Sequence, residues 1–466
     1  MQGKAGECQE WLGPPQLTKS ENCSGHFREA CPAGDRTAKA DPKRRFHALY
    51  DKVYRRDVMA RAWDQVRRNR GTAGIDRITL TDVERYGASQ MLDELSLDLR
   101  EGRYRPLPGR RVWIPKPGTE ERRPLSIPAV RDRIVQAALK IVIEPIFEAD
   151  FLACSFGFRP KKSAQDALQV LIDEAWRGRR WVVETDIASC FEAIPHGRLM
   201  AVIEERVCDR HVLKLLRALL RAGVMEEGMV RHPETGTPQG GVVSPLLANV
   251  YLNQLDRAWQ RRGRGVLCRY ADDLVVKCRS REEADEVLTL LRIILAELGL
   301  EPKEAKTRIV HLREGGEGID FLGFHHRWVR NRGRHGRHLT FLARWPSRKA
   351  MQAARDRIRD LTDRRRLLLP AEEIVDDVNR FLRGWAGYFR YGNSTRSFDK
   401  IRTYTVSRLG IFVANRRKKS RRLGFHFVAY LSPNNLGLIN LNGSVVAPRP
   451  NRPWRVKPNA VGEGRR

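Results

Sequence analysis

The 466-residue chain reads as an α+β protein. Three observations carry that reading. Short apolar runs bounded by Gly, Pro and Asp alternate with longer stretches at helical spacing. Two of the short runs, 181–186 and 266–278, end in or enclose aspartates. Beyond residue 347, three long stretches have helical periodicity and a large excess of arginine.

The length allows two or three domains. The formal net charge is +31, from 87 basic and 56 acidic residues, so a polyanionic partner is expected. From Arg327 to the end, 33 Lys+Arg meet 9 Asp+Glu, a surplus of 24. Nucleic acid and an anionic membrane are the candidates. The longest apolar run, Leu288 to Leu300, is broken by Arg292 and Glu297 and cannot span a bilayer. The N-terminus has no apolar h-region. The expected partner is therefore nucleic acid, with no membrane, and the expected location is the cytoplasm of a bacterial-type cell. Eight cysteines, at 8, 23, 31, 154, 190, 208, 268 and 278, include no C-x2-C pair, so zinc-knuckle spacing is absent. Cys190, Cys268 and Cys278 lie in apolar segments and read as reduced core residues. Cys23, His26 and Cys31 are a trio able in principle to hold a metal, against which stands their short, polar setting.

Taken in order, residues 1–42 are polar, without apolar periodicity, and read as a disordered extension. Leu49, Val53, Val58, Ala62 and Val66 predict a helix from about Phe46, and Leu92, Leu95 and Leu99 a second one over 81–100. Between them lies a Gly-rich turn, 69–76. Alternation at Val112 and Ile114, a Pro-Gly turn and the segment 122–128 predict a hairpin carrying Lys116, Arg122 and Arg123. Three cations there suit either a triphosphate or a solvated basic edge that resists aggregation. Helices follow over 130–147 and 163–176, the latter capped by Ser163, with an aromatic turn at 155–160 between them. The strand from Trp181 runs into Asp186, which is either a metal ligand or a cap on the next helix. One or two helices are expected over 197–222 and a short hairpin over 226–233. The Gly-rich turn around Gln239 and Gly240 feeds a helix, and its glycines permit close approach to something flat such as a base pair. An amphipathic helix over 281–298 ends at Gly299, and a strand is expected over 319–324. A basic linker (327–346) separates all this from three helices over 347–368, 371–391 and 397–419. Short strands and a basic tail follow from Arg421.

Residues 266–278 predict two strands joined by a tight turn holding Asp272 and Asp273. A solvated Asp-Asp turn is the plain reading. Like charges at the tip of an apolar hairpin repel and resist burial, and a divalent cation would rationalise them. Asp186, 86 residues earlier, supplies a third carboxylate if its strand pairs with this hairpin. Three such groups suit two Mg²⁺ ions that bind an attacking hydroxyl and a pyrophosphate leaving group.

In this order the motifs resemble those of group II intron-encoded reverse transcriptases and maturases: 114–117 with 127–128, 155–160, Asp186 to Phe191, 237–252, Tyr270-Ala-Asp-Asp, Lys306-Thr, 321–324 and the helical segment 381–389. The resemblance covers about 46–427. It implies a right-hand polymerase fold, with fingers and palm over 43–326, an α-helical maturase thumb over 347–425 and a basic tail over 426–466. It implies that Asp186 and Asp272 are the main metal ligands with Asp273 assisting, and that Phe191 blocks a sugar 2′-hydroxyl rather than only filling the core. Gln239 and Gly240 would line the nascent base pair. Lys116 with one of Arg122 or Arg123 would hold the triphosphate, and Lys306 would help protonate pyrophosphate. The implied partners are group II intron RNA, a DNA target and primer, and deoxynucleoside triphosphates. With no Cys after Cys278, the cysteine-paired endonuclease of longer members is not expected. The alternatives are a splicing cofactor with a vestigial polymerase site, or an intron-free reverse transcriptase in defence or repair.

Overall fold

The computed structural model describes residues 38, 41, 43–115, 122–226, 229–231, 235–237, 240–331, 339–432, 434–441 and 443–451. The expected N-terminal extension, and Cys23, His26 and Cys31 with it, lie outside these residues, save for 38 and 41. The first half contains α1 (Tyr50–Val53), α2 (Arg56–Arg68), α3 (Leu80–Tyr86), α4 (Ala88–Arg100), β1 (Gly109–Pro115), β2 (Arg122–Ile127), α5 (Val130–Glu148), α6 (Ala164–Trp176) and β3 (Trp181–Asp186). Next come α7 (Cys190–Ala193), α8 (His196–Glu204), α9 (Arg210–Arg221), β4 (Val224–Glu226), β5 (Met229–Arg231), α10 (Ser244–Arg262), β6 (Val266–Tyr270), β7 (Asp273–Cys278) and α11 (Arg281–Glu297). The last part holds β8 (Arg308–His311), β9 (Ile319–Phe321), β10 (Phe324–Arg330), β11 (Thr340–Pro346), α12 (Arg348–Leu361), α13 (Ala371–Phe389), α14 (Thr395–Arg416) and α15 (Arg421–His426).

The strands form three sheets, ordered β2-β1-β4-β5, β6-β7-β3-β8 and β11-β10-β9. The second is antiparallel throughout and central. Its period-two alternation divides the molecule into two cores. Val183, Leu267, Leu274 and Val276 face a core shared with α2, α5 and α8 to α11. Val182, Cys268, Val275 and Val310 face a second core, shared with α6, the third sheet and α12 to α14. Both faces are covered, so these strands are apolar on both sides. Cys190, Cys268 and Cys278 are buried free thiols, as expected.

The expected helices at 130–147 and 163–176 form, the latter with a Ser163–Asp166 capping box. Several boundaries differ. The helix expected from Phe46 begins only at Tyr50 and breaks at Arg55, which is extended; Asp209 takes the Leu49 and Tyr50 amides at 2.9 Å each. The helix expected over 81–100 is two helices, split at Gly87, whose φ of 109° no side-chain-bearing residue adopts easily. The strand expected over 319–324 turns at Leu322 and Gly323, both with positive φ. The basic linker is corrected: 327–346 holds most of β10 and all of β11, whose inward residues include His326 and Arg344. Strands were expected after Arg421; that region instead forms α15 and a π-helical turn over 427–431.

Candidate active site

The central sheet brings the three aspartates together. In the β3–β7 pairing, Asp186 stands directly opposite Asp273, and in the β6–β7 pairing Tyr270 stands opposite Asp273. Ala271 and Asp272 are therefore the two central residues of a hairpin turn. The Ile187 amide donates to the Asp272 carbonyl at 3.2 Å, tying the turn to the end of β3. Asp186 ends β3 and Asp273 begins β7 at the same edge, with Asp272 in the turn before it, so the charges gather there.

The carboxylates feel one another. Burial, then the neighbouring Asp186, raises the Asp272 carboxyl above its ordinary range. Burial, Asp272 and Asp186 push Asp273 up to about 7. The opposing cation is Lys306, on the short turn Glu304–Lys306, whose ammonium donates to Asp186 Oδ2. Burial works against that ammonium, but Asp186, then Asp273 and Asp272, hold its pKa above the usual lysine value. The Lys303 amide donates to the Asp186 carbonyl at 2.7 Å, and Thr307 Oγ1 meets Thr185 Oγ1 at 2.7 Å. These contacts fix the Lys306 turn against β3.

Arg123 is exposed on β2, opposite Ile114, and its charge acts on Asp272. Strand alternation puts Arg122 on the other face. Of the two arginines, Arg123 is the one turned toward the aspartates. Lys116 and Gln239 lie outside the described residues. Gly240, with φ of 110°, sits against β2: a Cβ there would collide with the Ser126 carbonyl oxygen. Phe191 is half-buried on α7, and its carbonyl accepts from the Thr237 amide at 2.6 Å. Gly236 is pressed so close to α7 that a Cβ would stand 2.8 Å from Glu192 Cα. The structure thus gathers Asp186, Asp272, Asp273, Lys306 and Arg123, with Phe191 and Gly240 on the segments beside them.

Two groups of residues escaped the sequence reading. His196 Nε2 lies 2.5 Å from the Gly236 carbonyl and pins the turn before Gly240. Under the aspartate turn lies Arg269, fully buried against Asp256. The signal for Arg269 was a guanidinium inside the apolar run 266–270, because a buried charge demands a partner.

A resident divalent cation can be tested against these groups. Among the described residues, no three His, Cys, Asp or Glu side chains form a ready cage for an ion. The donors are carboxylate oxygens only, which suit a hard cation. Mg²⁺ commonly takes one or two carboxylates and completes its shell with water and substrate phosphate. Burial first, and then the nearness of the other aspartates, disfavour the charged forms of Asp272 and Asp273, a cost that such an ion would relieve. The residues fit Mg²⁺.

Residues 114–326 match the family model for reverse transcriptase (RNA-dependent DNA polymerase). Residues 351–426, which span α12 to α15, match that for the group II intron, maturase-specific domain. Over 357 residues the chain is 33% identical to Protein YkfC of Escherichia coli (strain K12), covering 68% of this chain and 92% of that protein. The chain belongs to the group II intron reverse transcriptase/maturase family. A further relative is Group II intron-encoded protein LtrA of Lactococcus lactis subsp. cremoris, 37% identical over 46% of this chain and 35% of LtrA. Another is Nuclear intron maturase 4, mitochondrial, of Arabidopsis thaliana, 27% identical over 47% of this chain and 26% of that protein. The chain thus matches about a third or less of these two longer relatives. As a member of the family, this reverse transcriptase is an RNA-directed DNA polymerase. Among the described residues, no helix is long and apolar enough to cross a membrane.

Proposed function

We propose that the chain binds its own group II intron RNA, assists its splicing and copies it into DNA from a primer at a DNA target. The observation that carries the polymerase half is the register of β3 on β7, which sets Asp186 against Asp273 beside Asp272. In this reading the first two sheets are fingers and palm, and α12 to α14 are the thumb. The charge surplus beyond Arg327 supports the RNA-binding half.

Asp186 and Asp272 would hold two Mg²⁺ ions, with Asp273 assisting. Bound there, they would lower the pKa of the primer 3′-hydroxyl and neutralise charge on the departing pyrophosphate. The chain's own residues do the rest. Arg123, with Lys116, grips the triphosphate, and Arg122 faces away. Phe191 closes the space beside the sugar C2′ and excludes ribonucleotides. Gly240, lacking a side chain, lets the new base pair approach the backbone, with Gln239 beside it. Lys306 moves from Asp186 to the leaving pyrophosphate and supplies a proton or a balancing charge.

The test is Mg²⁺-dependent extension of oligo(dT) on poly(rA) by the purified chain. Extension by the wild type and none by Asp272→Ala is expected; a wild type that extends nothing sinks the polymerase mechanism. Normal splicing by the same variant, with mobility lost, would separate the two activities. Splicing that proceeds equally well without the protein would remove the maturase half.

A further inference from the structure

We infer that Arg269, Asp256, Asn249 and Gly157 form a buried bracket that holds the Ala271–Asp272 turn, making Arg269 and Asp256 positioning residues for polymerisation. The inference rests on the reading of Asp272 and Asp273 as catalytic carboxylates.

Arg269 and Asp256 are both 0% exposed. Arg269 Nε donates to Asp256 Oδ1 at 2.8 Å, and Nη2 donates to Oδ2. A desolvated pair of this kind gives little net stability over an apolar pair of similar volume, so stability alone does not account for it. The remaining guanidinium nitrogen, Nη1, donates to the Ala271 carbonyl at 3.1 Å and to Asn249 Oδ1 at 3.0 Å. Asn249 Nδ2 in turn donates to the Gly157 carbonyl at 2.7 Å. A Cβ at Gly157 would collide with the Ala271 amide nitrogen. Ala271 is therefore confined from two sides: Arg269 holds its carbonyl by a hydrogen bond, and Gly157 packs against its amide with no room for a side chain. The grip is needed because Ala271 has φ of 56°. That left-handed conformation is unfavourable for a residue with a Cβ, and it persists only where its surroundings enforce it. Ala271 directly precedes Asp272, so its dihedrals aim both carboxylates.

The bracket acts through geometry, not charge. Asp256 answers the Arg269 charge, while the cations that act on Asp272 are Lys306 and Arg123. Lysine at 269 would keep the charge and lose the planar fork that reaches Asp256, Asn249 and Ala271 at once.

The experiment uses the full chain with Arg269→Lys, Asp256→Asn and Gly157→Ala. Primer extension on poly(rA)/oligo(dT) is titrated with Mg²⁺, Mn²⁺ binding is followed by EPR with the primer–template bound, and primer–template affinity is measured separately. Each variant is expected to lose about tenfold or more in kcat, as ~1 Å misplacements do, and to need more metal for half-saturation in both assays. Primer–template affinity should stay within about twofold. Wild-type kcat and Mn²⁺ binding in Arg269→Lys overturn the inference, as does a loss matched by an equal loss of primer–template affinity. If the two ion-pair variants do not fold, Gly157→Ala decides alone, since it leaves the pair intact and disturbs Ala271 from the other side. Asp272→Ala is the control. Full activity there defeats the underlying catalytic reading. A dead Asp272→Ala beside a normal Arg269→Lys defeats the bracket only.

Discussion

At Phe191 the side chain and the backbone do separate jobs. The ring is half-buried on α7, packed against the first core, while its carbonyl anchors Thr237. Phe191→Ala keeps the anchor, and under the proposed role of the ring ribonucleotide incorporation should rise at least about tenfold relative to deoxynucleotides. Competitive incorporation of rUTP against dTTP checks this. Arg123 and Arg122 offer a second contrast, because they lie on opposite faces of β2 and the Arg123 charge acts on Asp272. Arg123→Ala should raise the KM for dTTP about tenfold or more, the worth of a charged hydrogen bond, and Arg122→Ala should leave it near wild type. Lys277 is a third case, fully buried in the second core, its Nζ without a hydrogen-bond partner among the described residues. Burial lowers its pKa from 10.5 to about 7. Below about pH 7 the fold must carry the buried charge. Between there and 10.5 the unfolded chain holds a proton that the folded chain lacks, so this site makes stability rise with pH. Lys277→Met should therefore stabilise the protein at pH 7 by ~1–3 kcal/mol, and the gain should shrink toward pH 10. Urea unfolding at the two pH values measures it.

Among the elements, those with strong local signals were legible. The Ser163 cap and the apolar face of α6 are local features, and the helix forms where they place it. Ser163→Ala should cost ~1 kcal/mol, visible as a lower melting midpoint with primer extension unchanged at 25 °C. Beyond β9, the third sheet was not legible for a physical reason. Its inward positions alternate properly, but His326 and Arg344 occupy two of them, so a hydropathy reading finds only a basic stretch. Gly87 hid a helix break because the apolar spacing continues through it. In the site, the aspartates were legible as motif residues, whereas the Arg269 bracket depends on contacts between β6, α10 and the 155–158 turn that no spacing encodes.

For the molecule as a whole, charge governs the partner. A net +31 concentrated beyond Arg327 implies that RNA binding is driven largely by counterion release. Affinity for structured RNA should fall by roughly 10³-fold or more between about 50 and 200 mM salt, checked by filter binding across that range. The order of strands in the central sheet bears on how the protein is made. β3 pairs with β7 and with β8, so Asp186 waits for partners that emerge from the ribosome long after it. Closing so long a loop is slow and leaves sheet edges open meanwhile. A nascent chain that ends before β8 has the aspartate motifs but lacks the strand that flanks β3, so its sheet is left with a bare edge. The central sheet, which sets Asp186 against Asp273 and flanks β3 with β8, is therefore complete only once His311 has been made.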